Sequence, residues 1–537
     1  MAFRFLTLTT FFALLFGGLG FNLYRLQVEK GAYYLERAQA RSEAIAELAL
    51  RRGQIFVTDR NNEDIPVALN RDYPVIYAVP KEIENASEVA HAIAALVGWE
   101  EGELEKVLSN RESLFRLLLD RASPEVIQAI ETLRPKGIYV DAKQYRFYPF
   151  ESLASHVLGF VGVNDVHEEP TGLYGIEKFD DEVLRAGGAI HLTIDRNIQA
   201  KVEETLERFM HDYEAVGGTV IVQEPATGKI IALVNKPDFN PNTYKDSNVK
   251  NFVNTAVQYV YEPGPVMKPI TISAGLDIGA FTPETTFTDP GFITLNGKTI
   301  RNYDNKVYGS ITPSNILEHS INVGAVLTEQ RIGHTTFHEY LTKFGFGEVT
   351  GVDLPDEVPG SLKNLERAEA RAVDFATAAF GQGTAATPLQ VVTAFSAIAN
   401  GGLLMRPYIH AEEKPYVVRR VVHEETTKEV TKMLESTVKL AKIAAISQYR
   451  IAGKTGTALI PDFAHGGYTE ELIHNFVGFA PASNPRFTML VKLDKPKVGE
   501  LAGLTVVPAF RELAQFILTY YSIPPDDLEP NDVTAKP

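Results

Sequence analysis

The stretch "YEPGPVMKPIT", residues 261–271, decides how this chain is read. A Glu-Pro-Gly turn leads into a short apolar run, then Lys268 and Pro269. A lysine placed there can act as general base toward a hydroxyl three residues earlier, because positions i and i+3 share one helical face. That earlier position is 265, and it holds proline. Pro265 has no hydroxyl and no N–H, yet proline suits the first turn of a helix, where an N–H has no partner anyway. The stretch therefore predicts a helix that survives the residue while losing a nucleophile.

Two further motifs lie downstream in the same region. "SIN" spans residues 320–322, giving Ser320 and Asn322, and "KTGT" spans 454–457, giving Lys454, Thr455, Gly456 and Thr457. Each is short enough to arise by chance, and Ser320 read alone is better explained as a helix cap. The surrounding pattern gives them a scaffold. "HLTIDRNIQAKVEETLERFM" reads as a strand and then a helix, with Ile198, Val202 and Leu206 four residues apart. "GGTVIVQEPATGKIIALVN" reads as a hairpin turning at Gly228. Helices fill the middle, including "TPLQVVTAFSAIAN", with Thr387 as cap and Pro388 at its first position. Strands return in "YRIAGKTGTALI", "HNFVGFAPAS" and "RFTMLVKLD", and "PAFRELAQFILTYY" reads as a final helix. Strands at both ends of a helical middle imply one antiparallel sheet with a helical half, an α+β domain over residues 189–521.

Ahead of it, residues 25–188 read as a stalk and a mixed pedestal. Short strands such as "GQIFVTD" and "YPVIYAVP" alternate there with helices such as "EVAHAIAALVGW". "SPEVIQAIETLRPKG" reads as a helix capped by Ser123 and ended by Gly137. Residues 1–24 read as a transmembrane anchor: from 5 to 24 there is no charge, and about 20 apolar residues span a bilayer. No small-residue cleavage site follows that run, which disfavours a cleaved signal peptide. Residues 522–537 read as a disordered tail.

The 537 residues exceed what one core can organise, and 45% hydrophobic with 22% charged residues is a globular composition. A formal charge of −16 without a basic run argues against a nucleic-acid partner. The absence of cysteine excludes disulfides, thiol catalysis and cysteine-ligated zinc, and the histidines form no ligand-spaced cluster. No cofactor and no metal are expected.

In order and separation the three motifs resemble those of the penicillin-binding proteins, specifically the class B peptidoglycan D,D-transpeptidases. "RRGQIFVTDRNNEDIPVALN", "YRFYPFESLASHVLGFVG", "GLYGIEKFDDEVL", "KPDFNPNTY", "AAFGQGTAATPLQVVTAFSAIANGG" and "NFVGFAPASNPR" resemble family blocks as well. The similarity runs from about residue 51 to about residue 496. The resemblance implies a β-lactamase-like transpeptidase domain on a dimerisation-type pedestal, held single-pass in the bacterial cytoplasmic membrane with its bulk extracytoplasmic. It implies peptidoglycan stem peptides and β-lactams as ligands. A membrane-embedded glycan polymerase and other cell-wall synthesis proteins are the implied partners. In such enzymes a serine attacks a D-Ala-D-Ala peptide to form an acyl-enzyme, which an amine then resolves. Carried over, Lys268 is the base, Ser320 relays a proton, and Asn322 holds the donor amide. Lys454 with Thr455 or Thr457 meets the terminal carboxylate, and Gly456 admits the substrate backbone.

The family pattern Glu-Pro-Gly-Ser-x-x-Lys-Pro departs here at Pro265 alone. Loss of such a serine costs on the order of 10⁶ in rate, and loss of one oxyanion donor roughly 10²–10³. The neighbouring hydroxyls, Thr271 and Ser320, are not expected to substitute: Thr271 belongs to the following turn, and Ser320 lacks the oxyanion geometry. Three expectations follow: a non-catalytic homologue that binds stem peptides or scaffolds a polymerase, with β-lactams bound at most reversibly; a native serine enzyme in which proline is an error or an introduced change; or a β-lactam sensor or hydrolase.

Overall fold

The computed structural model describes residues 2–25, 27, 30, 52–162, 170–442, 444–462 and 465–527. The chain divides into two compact units: Met1–Arg52 with Leu69–Phe147, and Gly53–Ala68 with Tyr148–Pro537. Residues 148–188, read from sequence as part of the pedestal, fall in the larger unit. Their apolar side chains explain this, since Val157, Leu158, Phe160 and Ile176 are buried in that unit's main core.

In the smaller unit, three antiparallel strands carry helices on one face. Strand Ile65–Ala78, from Leu69 onward, pairs with Ile138–Phe147 and with Arg116–Leu119. Ile76 and Ala78 alternate onto the face covered by Ala86–Val97, Glu101–Leu108 and Pro124–Leu133, where Ile93, Leu104 and Ile130 are buried. Ser123 caps the third helix as expected, accepting from the Val126 N–H. That helix ends at Arg134, in a left-handed conformation, and not at Gly137. Pro135 is the reason, because it has no N–H with which to continue the ladder.

Residues Ala2–Tyr24 are helical. Among the described residues no helix is long and apolar enough to cross a membrane, so the anchor rests on the sequence pattern. The stalk from residue 31 and the tail from residue 528 lie outside the described residues.

The larger unit is built on a five-stranded antiparallel sheet. The elements that form and flank this sheet and carry the site include, in chain order, α1 (Arg196–Asp212), β1 (Gly217–Gln223), β2 (Ile230–Lys236), α2 (Lys268–Asp277), α3 (Asn322–Ile332), α4 (Pro388–Ala399), α5 (Glu424–Ala441), β3 (Ala452–Pro461), β4 (Tyr468–Ala480), β5 (Phe487–Asp494) and α6 (Ala502–Tyr520). The strand order is β3-β4-β5-β1-β2. The first hairpin of the unit thus sits beside the last, with Val491 opposite Val220, and strands far apart in sequence close one sheet.

Both faces are covered, which is why β1 is buried along its whole length. Val220 and Val222 point to α1 and α6, where Ile198, Val202, Leu206 and Phe510 pack. Ile221, Val477 and Leu490 point the other way, toward Val391, Phe395 and the helical half. Thr387 forms a capping box with Gln390 at the start of α4, as the sequence suggests. Helix α6 begins at Ala502, six residues before the proline expected to open it, and Pro508 lies inside it. The Leu504 carbonyl, which Pro508 leaves without its helical donor, accepts instead from the Tyr213 hydroxyl at 2.8 Å.

One ion cluster binds distant loops of this unit. His410 contacts Asp353 through Nδ1 and Asp180 through Nε2, the latter at 2.7 Å. The two carboxylates outweigh the opposing effect of burial and raise the imidazole to about 10. A histidine pKa raised from its ordinary 6.5 gives stability that is complete below pH 6.5 and is lost as pH climbs through 10. At pH 6, His410→Gln is expected to cost about 3 kcal/mol by leaving two buried carboxylates unneutralised. Thermal melts from pH 6 to 11 should show the gap between the two proteins closing as pH approaches 10. A gap independent of pH contradicts the assignment.

Candidate active site

The quoted stretch folds as a 3₁₀ turn, Gly264–Met267, running into α2, and Lys268 is the first residue of that helix. Pro265 therefore sits in the turn and not at the head of the α-helix. In a 3₁₀ turn residues i and i+3 eclipse, so 265 and 268 still share a face, and the Lys268 N–H donates to the Pro265 carbonyl. Three prolines, at 263, 265 and 269, occupy positions around this turn where N–H donors are dispensable.

The turn is stitched down on both flanks. Gly264 donates to the Gly381 carbonyl at 3.1 Å. A side chain at Gly381 would lie 2.2 Å from the Gly264 oxygen. Glu262 accepts from the Gly383 N–H at 2.9 Å and from the Tyr468 hydroxyl at 3.0 Å, tying the turn to the start of β4. Asn475, from β4, donates to the Pro263 carbonyl at 3.1 Å.

Ser320 lies one residue before the residue that caps α3, and it makes no cap itself. It ends the preceding helix, Pro313–Glu318, in a left-handed conformation with φ 53, while Ile321 N–H returns to the Ile316 carbonyl. This uncommon backbone for a serine turns its hydroxyl toward two lysines. Lys268 Nζ is 3.1 Å and Lys454 Nζ 3.2 Å from Ser320 Oγ. Lys268 also donates to Asn322 Oδ1 at 2.9 Å and to the Ser320 carbonyl. Asn322 in turn donates to the Arg301 carbonyl at 3.1 Å. Lys454 reaches the Thr455 carbonyl at 3.2 Å. The three motifs, spread over nearly 200 residues, thus meet at one hydroxyl.

Both ammonium groups are fully enclosed, Lys268 at 0% and Lys454 at 1% exposure. Burial holds Lys268 well below the ordinary lysine range, and the neighbouring Lys454 pushes it further down. Burial brings Lys454 to about 7. Lys268 thereby gives up its proton more readily than an ordinary lysine, while Lys454 is divided between its two forms near neutrality.

The site opens into a cleft of about 350 Å³, lined by Pro265, Ser320, Asn322, Lys454, Thr455 and Thr457 among others. Strand β3 is the outer strand of the sheet. Thr457 Oγ1 accepts from the Ala502 N–H at 3.2 Å, joining the strand to the start of α6.

Gly456 is placed differently from the sequence expectation. A Cβ there would meet Asn475 Oδ1 at 2.5 Å and the Pro263 carbonyl at 2.8 Å. Its missing side chain makes room for the turn before Pro265, so the space is filled from within the protein. Thr271 is no surrogate either, since its buried hydroxyl donates to the Ala379 carbonyl at 2.8 Å. Glu262, Gly381 and Asn475 went unassigned in the sequence. All three stood inside recognised blocks, Asn475 opening "NFVGFAPASNPR", but nothing local marked them as supports of the turn.

Comparison with known proteins agrees with this architecture. Residues 218–515 match the penicillin binding protein transpeptidase domain, and residues 48–209 the penicillin-binding protein dimerisation domain. The chain belongs to the penicillin-binding protein family. Its two domains and its relatives place it among the class B members. It is 32% identical to stage V sporulation protein D of Bacillus subtilis, over 83% of this chain and 74% of that one. Identity to the peptidoglycan D,D-transpeptidase FtsI of Escherichia coli K12 is 28%, over 97% and 93% of the two chains. A probable peptidoglycan D,D-transpeptidase, PenA, of Neisseria meningitidis serogroup A is 27% identical over 96% and 92%. The fold is that of a crystallised peptidoglycan synthetase from Bifidobacterium adolescentis, with a TM-score of 0.69 and 24% identity, over 90% of this chain and 98% of that one.

Two outcomes test the site's geometry. Gly456→Ala is expected to destabilise by about 1–3 kcal/mol through overpacking against Pro263 and Asn475, read as a lower melting temperature; an unchanged melt contradicts the close approach. Lysine Cε resonances should show one group titrating near pH 7. Lys454→Met should move the Lys268 titration upward by removing the repelling charge, and a static Lys268 signal refutes the coupling.

Proposed function

We propose that this class B penicillin-binding protein binds the D-Ala-D-Ala end of peptidoglycan stem peptides in the Lys268–Ser320–Lys454 cleft without being acylated. The observation that carries this reading is Pro265. It lines the cleft three residues before the buried amine of Lys268, where the family pattern has its serine. It offers neither an atom to attack nor an N–H to hold an oxyanion. Lys268 then has a proton-accepting amine with no nucleophile to activate. Ser320 remains available to relay protons and Asn322 to hold a donor amide. Protonated Lys454, with Thr455 and Thr457, meets the peptide's terminal carboxylate.

In this reading residues 1–24 anchor the chain in the cytoplasmic membrane, supported by the uncharged run from 5 to 24. The smaller unit forms the pedestal, and the larger one, with residues 148–521, stands outside the membrane beside a membrane-embedded glycan polymerase, with 522–537 as a tail. The protein then serves as a peptide-binding scaffold of cell-wall synthesis.

A second reading, an active serine transpeptidase in which Pro265 is a change from the native residue, is favoured by one observation. The hydrogen bonds joining Lys268, Ser320 and Lys454 are all in place around an absent nucleophile.

Fluorescent penicillin separates acylating from non-acylating states. The unaltered protein is expected to give no covalent band on a denaturing gel, whereas Pro265→Ser acquires one. Robust labelling of the unaltered protein overturns the non-acylating reading. Calorimetry with a D-Ala-D-Ala peptide should show reversible binding, and its absence leaves only a scaffold without a peptide ligand.

A further inference from the structure

We propose that Asp526 is a positioning residue for Lys454: it closes residues 523–527 as a clasp over the segment that opens β3. The clasp acts on that strand whether or not the cleft holds a peptide.

Residues 522–527 open the stretch that reads from sequence as a tail, yet they are tied into the larger unit. Ser522 adopts a left-handed conformation with φ 52, and the Ile523 N–H returns to the Leu518 carbonyl at 2.9 Å, which ends α6. Ile523 is 6% exposed and packs in the same core cluster as Ile446 and Ile451. Pro524 and Pro525 follow with fixed φ, so little freedom remains between that buried anchor and Asp526.

Asp526 uses both carboxylate oxygens. Oδ1 accepts from the Arg450 N–H at 2.8 Å. Oδ2 accepts from the Ser483 N–H at 3.2 Å and from its hydroxyl at 2.6 Å, with Arg450 Nε 3.5 Å away. The backbone joins in, since the N–H groups of Asp526 and Asp527 both donate to the Gln448 carbonyl, at 3.2 and 3.0 Å. The Tyr449 hydroxyl donates to the Ile523 carbonyl at 2.6 Å. Three consecutive residues, 448 to 450, are therefore gripped by the end of the chain. The Asp526 side chain is 11% exposed, so these bonds are shielded from competing water.

The gripped segment leads directly into β3. That strand is the outer one of the sheet and pairs with β4 on one side only. An edge strand has one neighbour to hold its register, which makes it the part of a sheet that opens most readily. Farther along, β3 is held where Thr457 takes the Ala502 N–H. At its start it is held through Arg450, whose carbonyl accepts from the Ala482 N–H at 2.8 Å and whose N–H goes to Asp526. Ala482 and Ser483 lie in the turn between β4 and β5. Asp526 thus bridges the entrance of the edge strand to the turn of the two strands beside it. Lys454 stands four residues beyond Arg450, 1% exposed and 3.2 Å from Ser320 Oγ. Each residue of a strand advances about 3.3 Å, so even a partial release of that entrance carries the amine away from Ser320 and toward water.

Hydrogen exchange and the titration of the Lys454 Cε resonance, both on the full chain, test this. Asp526→Ala is expected to speed amide exchange over residues 450–456 roughly tenfold or more, the effect of removing a charge-assisted hydrogen bond from an opening equilibrium. Exchange in β5 should keep its rate. The Lys454 titration should move upward from about 7, because water reaching the amine relieves its burial. Asp526→Asn keeps one acceptor for the Arg450 N–H and should show smaller changes in both. Should Asp526→Ala fail to fold, Ser483→Ala removes only the 2.6 Å hydroxyl contact and should move both readouts in the same directions. A lower melting temperature with β3 exchange and the Lys454 titration unchanged overturns the proposal, leaving Asp526 a stabiliser of the chain end alone. Neither readout uses a peptide or a penicillin, so failure of the clasp and failure of the stem-peptide reading are seen separately.

Discussion

The site depends on two lysines buried within hydrogen-bonding distance of one serine hydroxyl. Bringing two such groups into a dry interior is costly if both stay charged. The protein meets that constraint by weakening both amines' hold on their protons: Lys268 is driven well down by burial and by its neighbour, and Lys454 settles near 7. Their other partners are oxygens of Ser320, Asn322 and Thr455, which accept from an amine without demanding a full charge. The reactive character of the lysines follows from where they are packed.

That packing is produced by the sheet and its helical half together. Lys268 is held by a turn pinned between residues 381–383 and strands β3 and β4. Ser320 is held by the left-handed end of one helix just before the next. Lys454 is held by the register that sets it opposite Val477. A shift of one residue in β3 would send Lys454 to the α6 side of the sheet and bring a side chain into the space that Gly456 leaves for Pro263. Chain segments from residue 217 to residue 494 are joined in this one sheet, which is why its geometry is stiff enough to hold three motifs together.

Much of this was legible beforehand. Alternating apolar runs at either end of a helical middle implied the antiparallel α+β domain, because period-2 patterning belongs to strands whatever their partners. The motif residues Lys268, Ser320, Asn322, Lys454, Thr455 and Thr457 were named from their order along the chain; all but Lys268 line one cleft, and Lys268 is buried against Ser320 and Asn322. Local rules misjudged positions where tertiary contacts override them. Helix α6 runs through Pro508 because Tyr213 supplies a donor to the freed carbonyl. Ser320 looked like a cap, but its neighbours required a left-handed helix end. Gly456 looked open to a ligand, but Pro263 and Asn475 fill the space.

By itself the sequence determined which chemical groups exist: a lysine amine, a serine hydroxyl, a proline with neither hydroxyl nor N–H. Covalent structure is a property of the residue and needs no fold to be read. Only the tertiary structure decided the state of those groups, because protonation, exposure and distance are set by neighbours brought from elsewhere in the chain. Lys268 is a lysine in any conformation; its amine is buried and its pKa driven down only when residues from 320 and 454 close over it.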